Sequence, residues 1–197
     1  MKQAELFSVP PALPSGFHYQ ADFLSHAEEE RLLATLATLP FREAQYKQFT
    51  ARRRIVSFGG SYDFSSNELI PAGPVPEFLH PLRERIAEWS GIPAQELTHA
   101  LIAEYQPGTQ LGWHRDVPDF EKITGVSLAG ACRMRLRPYP PEKGRRDLTI
   151  PLDLPPRSAY AMRGVARWGW QHAISPTKEL RYSITFRTLA GERQRVA

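Results

Sequence analysis

Residues 99–137 read HALIAEYQPGTQLGWHRDVPDFEKITGVSLAGACRMRLR and carry the clearest evidence for the fold. Short apolar or alternating runs, HALIAEY and CRMRLR among them, are separated by turns that contain Pro or Gly. Alternation of apolar and polar side chains is typical of half-buried β-strands. Four further runs of this kind lie between residues 148 and 189. The pattern predicts a mainly β protein whose core is a double-stranded β-helix, the jelly roll, with flanking helices.

The flanking helices are predicted upstream of this β-rich region. Ser25 and Glu28 form a capping box at the start of a helix over Ser25–Leu39, where leucines follow at helical spacing. A second helix is predicted over Pro76–Trp89, and Pro81 in its early part should shorten or kink it. We expect an extended arm at 1–16 and a single domain at 17–197, in which helices and a substrate lid occupy 17–98 and the jelly roll occupies 99–190.

Composition excludes several classes of protein. The chain has 197 residues, of which 42% are hydrophobic and 23% charged, as in an ordinary soluble globular domain. Its single cysteine, Cys132, cannot form an intrachain disulfide, which favours a reducing compartment. The sequence has no run of about 20 apolar residues that would span a bilayer, and its first residues lack the apolar segment of a secretory signal. We therefore expect a cytoplasmic monomer that does not bind membranes.

Candidate metal ligands lie in two of the predicted strands. On an extended strand, His114 and Asp116 would face the same side, so an imidazole and a carboxylate would converge. His172, in the run WQHAI, opens a later strand. Two histidines and one carboxylate form the facial triad of non-haem Fe(II) oxygenases. Each motif alone also fits a plain structural histidine, and the same ligand set occurs in zinc hydrolases.

The run RYSITFRTL at 181–189 supplies the second half of the candidate site. Alternation places Arg181, Ser183, Thr185 and Arg187 on one face of a strand. Two arginines that look into a barrel are costly unless they meet anions, and a dicarboxylate cosubstrate would supply two carboxylates. A solvated outer face is the alternative for this strand, whereas a zinc hydrolase gives no reason for the arginines.

Taken in order, these motifs resemble the AlkB family of Fe(II)- and 2-oxoglutarate-dependent dioxygenases, whose pattern is H-x-D, then His, then R-x5-R. The resemblance covers about residues 40–188 and includes the flanking segments Tyr105-Gln106-Pro107-Gly108 and Val126-Ser127-Leu128. It implies that Fe(II) is held by His114, Asp116 and His172. It further implies that Arg181 pairs with the distal carboxylate of 2-oxoglutarate beside Tyr105, and that Arg187 lies near the iron-chelating end.

The resemblance also implies a reaction. A family member consumes 2-oxoglutarate and O2, releases succinate and CO2, and hydroxylates a substrate C–H bond. Hydroxylation of an N-methyl group releases formaldehyde, which demethylates the substrate. Two positions depart from the family pattern. Ala103 replaces an Asn that helps to hold the cosubstrate in many members, and Pro118 replaces an acidic residue that contacts the damaged base in bacterial repair members.

Basic and aromatic residues indicate the substrate. The segment Tyr46–Ser66 corresponds to the family's substrate lid and contains Arg52, Arg53 and Arg54 before the turn Gly59-Gly60. Tyr62, followed by Phe64, is predicted to stack on a flipped base. We therefore expect alkylated DNA or RNA as the partner, although a solvated charge run is the alternative for the three arginines.

A second basic element is the run CRMRLR. Alternation places Arg133, Arg135 and Arg137 on one strand face, where like charges repel unless phosphates or acids such as Asp147 lie nearby. Arg145 and Arg146 follow a Pro-rich turn. The remaining alternatives are an oxygenase of the same mechanism acting on a protein side chain or a small molecule, and a jelly-roll binding module whose polar cluster is structural.

Overall fold

A computed structural model describes residues 12–46, 49–63, 66, 68–141 and 148–191 of the chain. The predictions that concern Phe64, Arg145, Arg146, Asp147 and most of the arm at 1–16 lie outside these residues. The helices are α1 (His26–Leu36), α2 (His80–Ser90) and α3 (Val165–Trp168). The strands are β1 (Phe17–Gln20), β2 (Arg42–Tyr46), β3 (Phe49–Phe58), β4 (Ser61–Asp63), β5 (Glu68–Ile70), β6 (His99–Tyr105), β7 (Leu111–His114), β8 (Phe120–Ala129), β9 (Cys132–Pro138), β10 (Ile150–Leu154), β11 (Ala159–Met162), β12 (Trp170–Ile174) and β13 (Arg181–Leu189).

Two antiparallel sheets form the core of the domain, and their strand orders confirm the predicted jelly roll, while β4 and β5 pair as a separate hairpin. The large sheet has the order β1-β11-β8-β13-β6-β3-β2, and the small sheet has the order β10-β9-β12-β7. All eight strand-like segments predicted after residue 98 are strands, with ends displaced by a few residues. Strand β13 lies at the centre of the large sheet and pairs with β8 on one side and β6 on the other.

The two faces of β13 look toward two separate hydrophobic cores. Tyr182, Ile184 and Phe186 pack with α1 and α2 in the core that covers the outer face of the large sheet. The opposite face of β13 looks toward the small sheet, where Met134, Leu136 and other side chains form the second core. The helices therefore shield one face of the large sheet, and the space between the two sheets is left for the predicted site.

Local signals account for most of the helix bounds. Ser25 caps α1, and both halves of the predicted capping box with Glu28 are formed. The second helix begins at His80 rather than at residue 76, after a 3-10 turn over Glu77–Leu79. Pro81 lies in the first turn of α2, where a missing backbone N–H costs nothing, so it does not interrupt the helix. No helix among the described residues is long and apolar enough to cross a membrane.

The segment before residue 99 also contributes strands that the sequence patterns did not predict. Strand β1 pairs with β11 at one edge of the large sheet, and β3 pairs with β6 toward the other edge. About half of the predicted lid is therefore part of the sheet, because the ten residues of β3 lie within it. The turn that follows requires glycine at its first position. Gly59 has a φ of 78°, and a Cβ there would collide with the carbonyl oxygen of Thr98.

Candidate active site

Three potential metal ligands converge between the two sheets. His114 lies at the end of β7 directly opposite His172 of β12, and the centroids of the two imidazole rings are 4.1 Å apart. Asp116 Oδ2 lies 3.8 Å from His172 Nε2. One potential ligand atom from each of the three side chains lies within 4.8 Å of the other two. The cluster offers two nitrogens and one carboxylate oxygen, which suits Fe(II) and leaves coordination positions open.

The alternation argument predicted that Asp116 lies on the same strand as His114, but the structure places it beyond the end of that strand. Strand β7 ends at His114, and Asp116 lies in the turn that leads to β8. Arg167 holds this turn in place. Its buried guanidinium donates to the backbone carbonyl oxygens of Asp116, Val117 and Phe120, at distances between 2.8 and 3.1 Å. Convergence of the carboxylate with the imidazoles therefore comes from a tertiary contact rather than from strand geometry.

Electrostatics keep the three side chains in the protonation states that a metal requires. Burial lowers the pKa of His172 to about 3, and the neighbouring His114 adds to this effect. Burial also lowers the pKa of His114. Burial acts to raise the pKa of Asp116, but the charge of Arg187 outweighs it and the pKa is lowered. At neutral pH the site therefore presents neutral imidazoles and an ionised carboxylate.

Arg187 connects the metal-ligand cluster to the large sheet. Its Nε donates to Asp116 Oδ1 at 2.9 Å, and both side chains are at least nine-tenths buried. Its Nη1 lies 3.4 Å from Nδ1 of His99, a buried histidine that packs on Phe120. The sequence analysis missed His99, although alternation along β6 places it on the same face as Tyr105.

Arg181 lies six residues from Arg187 on the same face of β13. It is 2% exposed, and its Nε donates to Ser127 Oγ at 2.9 Å. Tyr105 is its partner in β6, and the guanidinium carbon lies 5.0 Å from the centroid of the phenol ring. Arg181 Nη1 is buried without a hydrogen-bond partner among the described residues. An unpaired buried guanidinium nitrogen is costly, and a carboxylate of 2-oxoglutarate fits it as a partner.

The predicted basic run in β3 is divided between two faces of the sheet. Arg54 lies on the helix-covered face, where it forms a bidentate ion pair with Glu104 at 2.8 and 2.9 Å. Alternation places Arg53 on the opposite face, and its charge contributes to the low pKa of His114, behind burial and other causes. Arg53 Nε is buried without a partner among the described residues. Arg52 is exposed. Of the three arginines, Arg53 is the one that adjoins the metal-ligand cluster.

Tyr62 lies on the hairpin formed by β4 and β5, opposite Leu69. Gly60, at the base of this hairpin, packs against His99. Tyr62 is half-buried, and burial followed by the charge of Asp119 raises the pKa of its phenol. The hairpin therefore lies beside the candidate site, and the base-stacking role of Tyr62 stays a prediction.

The outer face of the small sheet carries the second basic element. Arg133 forms an ion pair with Asp153, and Arg137 donates to the amide oxygen of Gln171. The guanidinium carbons of Arg135 and Arg137 lie 5.1 and 4.3 Å from the ring centroid of Trp113. Arg135 forms no ion pair with any acid in the part of the chain that the structure describes. We refer to Trp113, Arg135 and Arg137 as the Trp113 stack.

Comparisons with known proteins agree with this geometry. The sequence model of the 2OG-Fe(II) oxygenase superfamily matches residues 16–187. The chain is 29% identical over 180 residues to the Alkylated DNA repair protein ALKBH8 homolog of Arabidopsis thaliana, which covers 81% of this chain and 50% of that protein. It is 30% identical over 127 residues to the Probable RNA/DNA demethylase ALKBH6 of Danio rerio, and this match covers 64% of this chain and 51% of that protein. The chain thus spans about half the length of these curated relatives.

A solved structure gives the same fold. The structure of OsALKBH1 superimposes on this chain with a TM-score of 0.64 at 17% identity, and the match covers 90% of this chain and 98% of that one. This likeness confirms the predicted jelly roll. The matched sequence model and the curated relatives confirm the predicted resemblance to the AlkB family.

Proposed function

Because the chain belongs to the 2OG-Fe(II) oxygenase superfamily, we propose that it is a dioxygenase that oxidatively demethylates alkylated bases in DNA or RNA. The observation that carries this proposal is the cluster His114, Asp116 and His172, faced by Arg187 and by the unpaired nitrogen of Arg181. When bound, Fe(II), 2-oxoglutarate and O2 supply the oxidant for hydroxylation of a C–H bond, while 2-oxoglutarate is converted to succinate and CO2.

In this proposal each side chain has a separate task. His114, Asp116 and His172 bind the metal. Arg181, fixed at Nε by Ser127, presents Nη1 to the distal carboxylate of 2-oxoglutarate, and Tyr105 lies beside it. Arg187 holds Asp116 ionised and oriented. The family assignment itself does not depend on these roles, so each role can be tested by substitution.

Two observations support a nucleic acid as the substrate. The Trp113 stack presents positive charge and an aromatic side chain on the outer face of the small sheet, whose inner face carries His114 and His172, and positive charge suits contact with phosphates. Two relatives carry names that refer to alkylated DNA repair and to RNA/DNA demethylation.

We also propose that the enzyme is cytoplasmic, since its one cysteine is buried and free, as in a reducing compartment. We further propose that it is a monomer, and size-exclusion chromatography would measure its state of assembly.

The proposed reaction predicts stoichiometric products. With Fe(II), 2-oxoglutarate and O2, we expect formaldehyde and the unmodified base to form together with succinate from N-methylated single-stranded DNA or RNA oligonucleotides. Mass spectrometry of the oligonucleotide and a formaldehyde assay would measure both. Methylated peptides and methylated small molecules serve as parallel substrates. Turnover confined to those substrates would reject the nucleic-acid assignment while leaving the dioxygenase assignment intact.

Binding of an oligonucleotide should depend on salt if the Trp113 stack contacts phosphates. Each neutralised phosphate contributes about −0.7 to −0.9 to the slope of log affinity against log salt concentration. We expect Arg135→Ala to make this slope shallower by about one unit and to weaken binding to all sequences alike, because phosphate contacts carry no base information. Fluorescence anisotropy at several salt concentrations would measure the slope.

The matched control for this substitution is Arg31→Ala. Arg31 is exposed on α1, the helix that covers the other face of the large sheet, so its loss changes the net charge equally without touching the small sheet. The slope should keep its wild-type value in this variant. Equal slopes in the wild type and Arg135→Ala would show that the Trp113 stack lies outside the binding surface.

A further inference from the structure

Tyr160 is a buried side chain between the two sheets that the proposed function does not use. It lies on β11 opposite Gly125 of β8, and Gly125 lies opposite Thr185 of β13. Thr185 belongs to the face of β13 that carries Arg181 and Arg187. Strand register therefore directs Tyr160 into the same space as the two arginines. Along the sheet, it lies level with Thr185, between Arg181 and Arg187.

Gly125 lets the phenol ring lie flat against the large sheet. A Cβ added at Gly125 would lie 2.6 Å from the hydroxyl oxygen of Tyr160 and equally close to the ring carbons beside it. Any residue other than glycine would therefore displace the hydroxyl end of the ring. The ring of Phe17 stacks on Tyr160 at a centroid distance of 5.9 Å and an interplanar angle of 15°. Packing thus fixes the position of the hydroxyl group.

The hydroxyl group is a donor without a partner. Tyr160 is 6% exposed, and its hydroxyl forms no hydrogen bond with the residues that the structure describes. Burial raises the pKa of this phenol, so it keeps its proton at neutral pH. The charges that act on it are those of Asp116, Arg181 and Arg187, which places it among the groups of the candidate site.

We propose that Tyr160 is a further cosubstrate-binding residue, whose phenolic hydroxyl donates a hydrogen bond to a carboxylate oxygen of 2-oxoglutarate. The unpaired hydroxyl and the unpaired Arg181 Nη1 lie in one compartment, and a dicarboxylate that enters between Arg181 and Arg187 supplies acceptors for both. Tyr160 thereby satisfies its hydroxyl only in the complex, so it adds affinity for the cosubstrate without stabilising the free protein.

The variant Tyr160→Phe tests this proposal. The phenyl ring can still pack on Gly125 and Phe17, so a role in packing alone predicts no change. We expect the dissociation constant of 2-oxoglutarate, measured by calorimetry on the Mn(II)-loaded protein without substrate, to rise roughly 10- to 100-fold, as for loss of a hydrogen bond to a charged group. The melting temperature of the ligand-free variant should equal or exceed that of the wild type, while the increase on adding 2-oxoglutarate should be smaller.

Tyr182→Phe is the matched control, because it makes the same chemical change on the opposite face of the sheet. Its hydroxyl donates to Glu104 in the helix-covered core. This variant should lose stability without 2-oxoglutarate and should bind 2-oxoglutarate as the wild type does. Wild-type affinity and a wild-type thermal shift in Tyr160→Phe would overturn the proposal. Neither measurement involves a nucleic acid, so the result is independent of the proposed substrate.

Discussion

Replacement of Asp116 by Asn is expected to abolish metal binding and turnover while leaving the domain folded. The amide keeps the shape of the side chain and can still accept a hydrogen bond from Arg187 Nε, but it no longer supplies an anionic ligand. Changes to groups that merely orient a metal ligand cost about 10- to 100-fold in affinity or activity, so loss of the ligand itself should cost at least roughly 100-fold. Metal content per chain and succinate formation would measure the two losses.

Asp116→Ala should differ from Asp116→Asn in stability rather than in activity. Asn keeps an acceptor for Arg187 Nε, whereas Ala removes the charge and the acceptor together. Removal of one partner of a buried pair costs about 3–5 kcal/mol in other proteins. The control is Asp153→Asn, which breaks an exposed ion pair with Arg133 and should leave stability nearly unchanged. Stoichiometric metal in Asp116→Asn at wild-type affinity would remove Asp116 from the ligand set.

Replacement of Arg181 by Ala is expected to weaken 2-oxoglutarate binding by two to three orders of magnitude. The guanidinium is anchored by Ser127 at one end and unpaired at the other, so it is held ready for a carboxylate. Loss of one partner of a buried pair costs roughly 3–5 kcal/mol, and each 1.4 kcal/mol or so is a tenfold change in affinity. Calorimetric titration with 2-oxoglutarate in the presence of Mn(II) would measure the change without relying on turnover.

Two further variants separate charge from geometry at this position. Arg181→Lys keeps the charge but cannot bind Ser127 and a carboxylate with one planar group, so its affinity should lie between those of the wild type and Arg181→Ala. Ser127→Ala leaves the guanidinium in place and removes only its anchor, so its effect should be the smallest. Undiminished binding in Arg181→Ala would show that the dicarboxylate is held elsewhere.

Alternation along single strands predicted the candidate site where the ligand geometry is local. The inward face of β13, with Arg181 and Arg187, was predictable because successive side chains of a strand point to opposite faces in every sheet. The convergence of His114 with Asp116 was predicted for the wrong reason. Asp116 leaves the strand and is brought back by Arg167, which is 51 residues away in the sequence. No pattern within a strand contains that contact.

The features that escaped prediction depend on which strands are neighbours. Three consecutive arginines in β3 mask the alternation that separates Arg53 from Arg54, so the sequence pattern does not show that this part of the predicted lid is a strand of the large sheet. The sequence patterns do not single out Tyr160, because only its pairing with Gly125 places its ring in the space that the two arginines enter. Register between distant segments is set by the closed fold, and a single sequence does not display it.

The two halves of the candidate site lie at places in the sheets that should open at different rates. Strand β13 is paired with a neighbouring strand on both sides from Arg181 to Arg187, so the amides of this stretch should exchange with solvent only when the whole domain unfolds. Strand β7, with His114, has four residues and pairs only with β12 at an edge of the small sheet, as far as the chain is described. Fraying of that edge would release His114 from the metal while the strand that carries Arg181 and Arg187 stays paired. Metal exchange should therefore be governed by local opening at β7. The affinity for the dicarboxylate depends on β13, which does not open in that event.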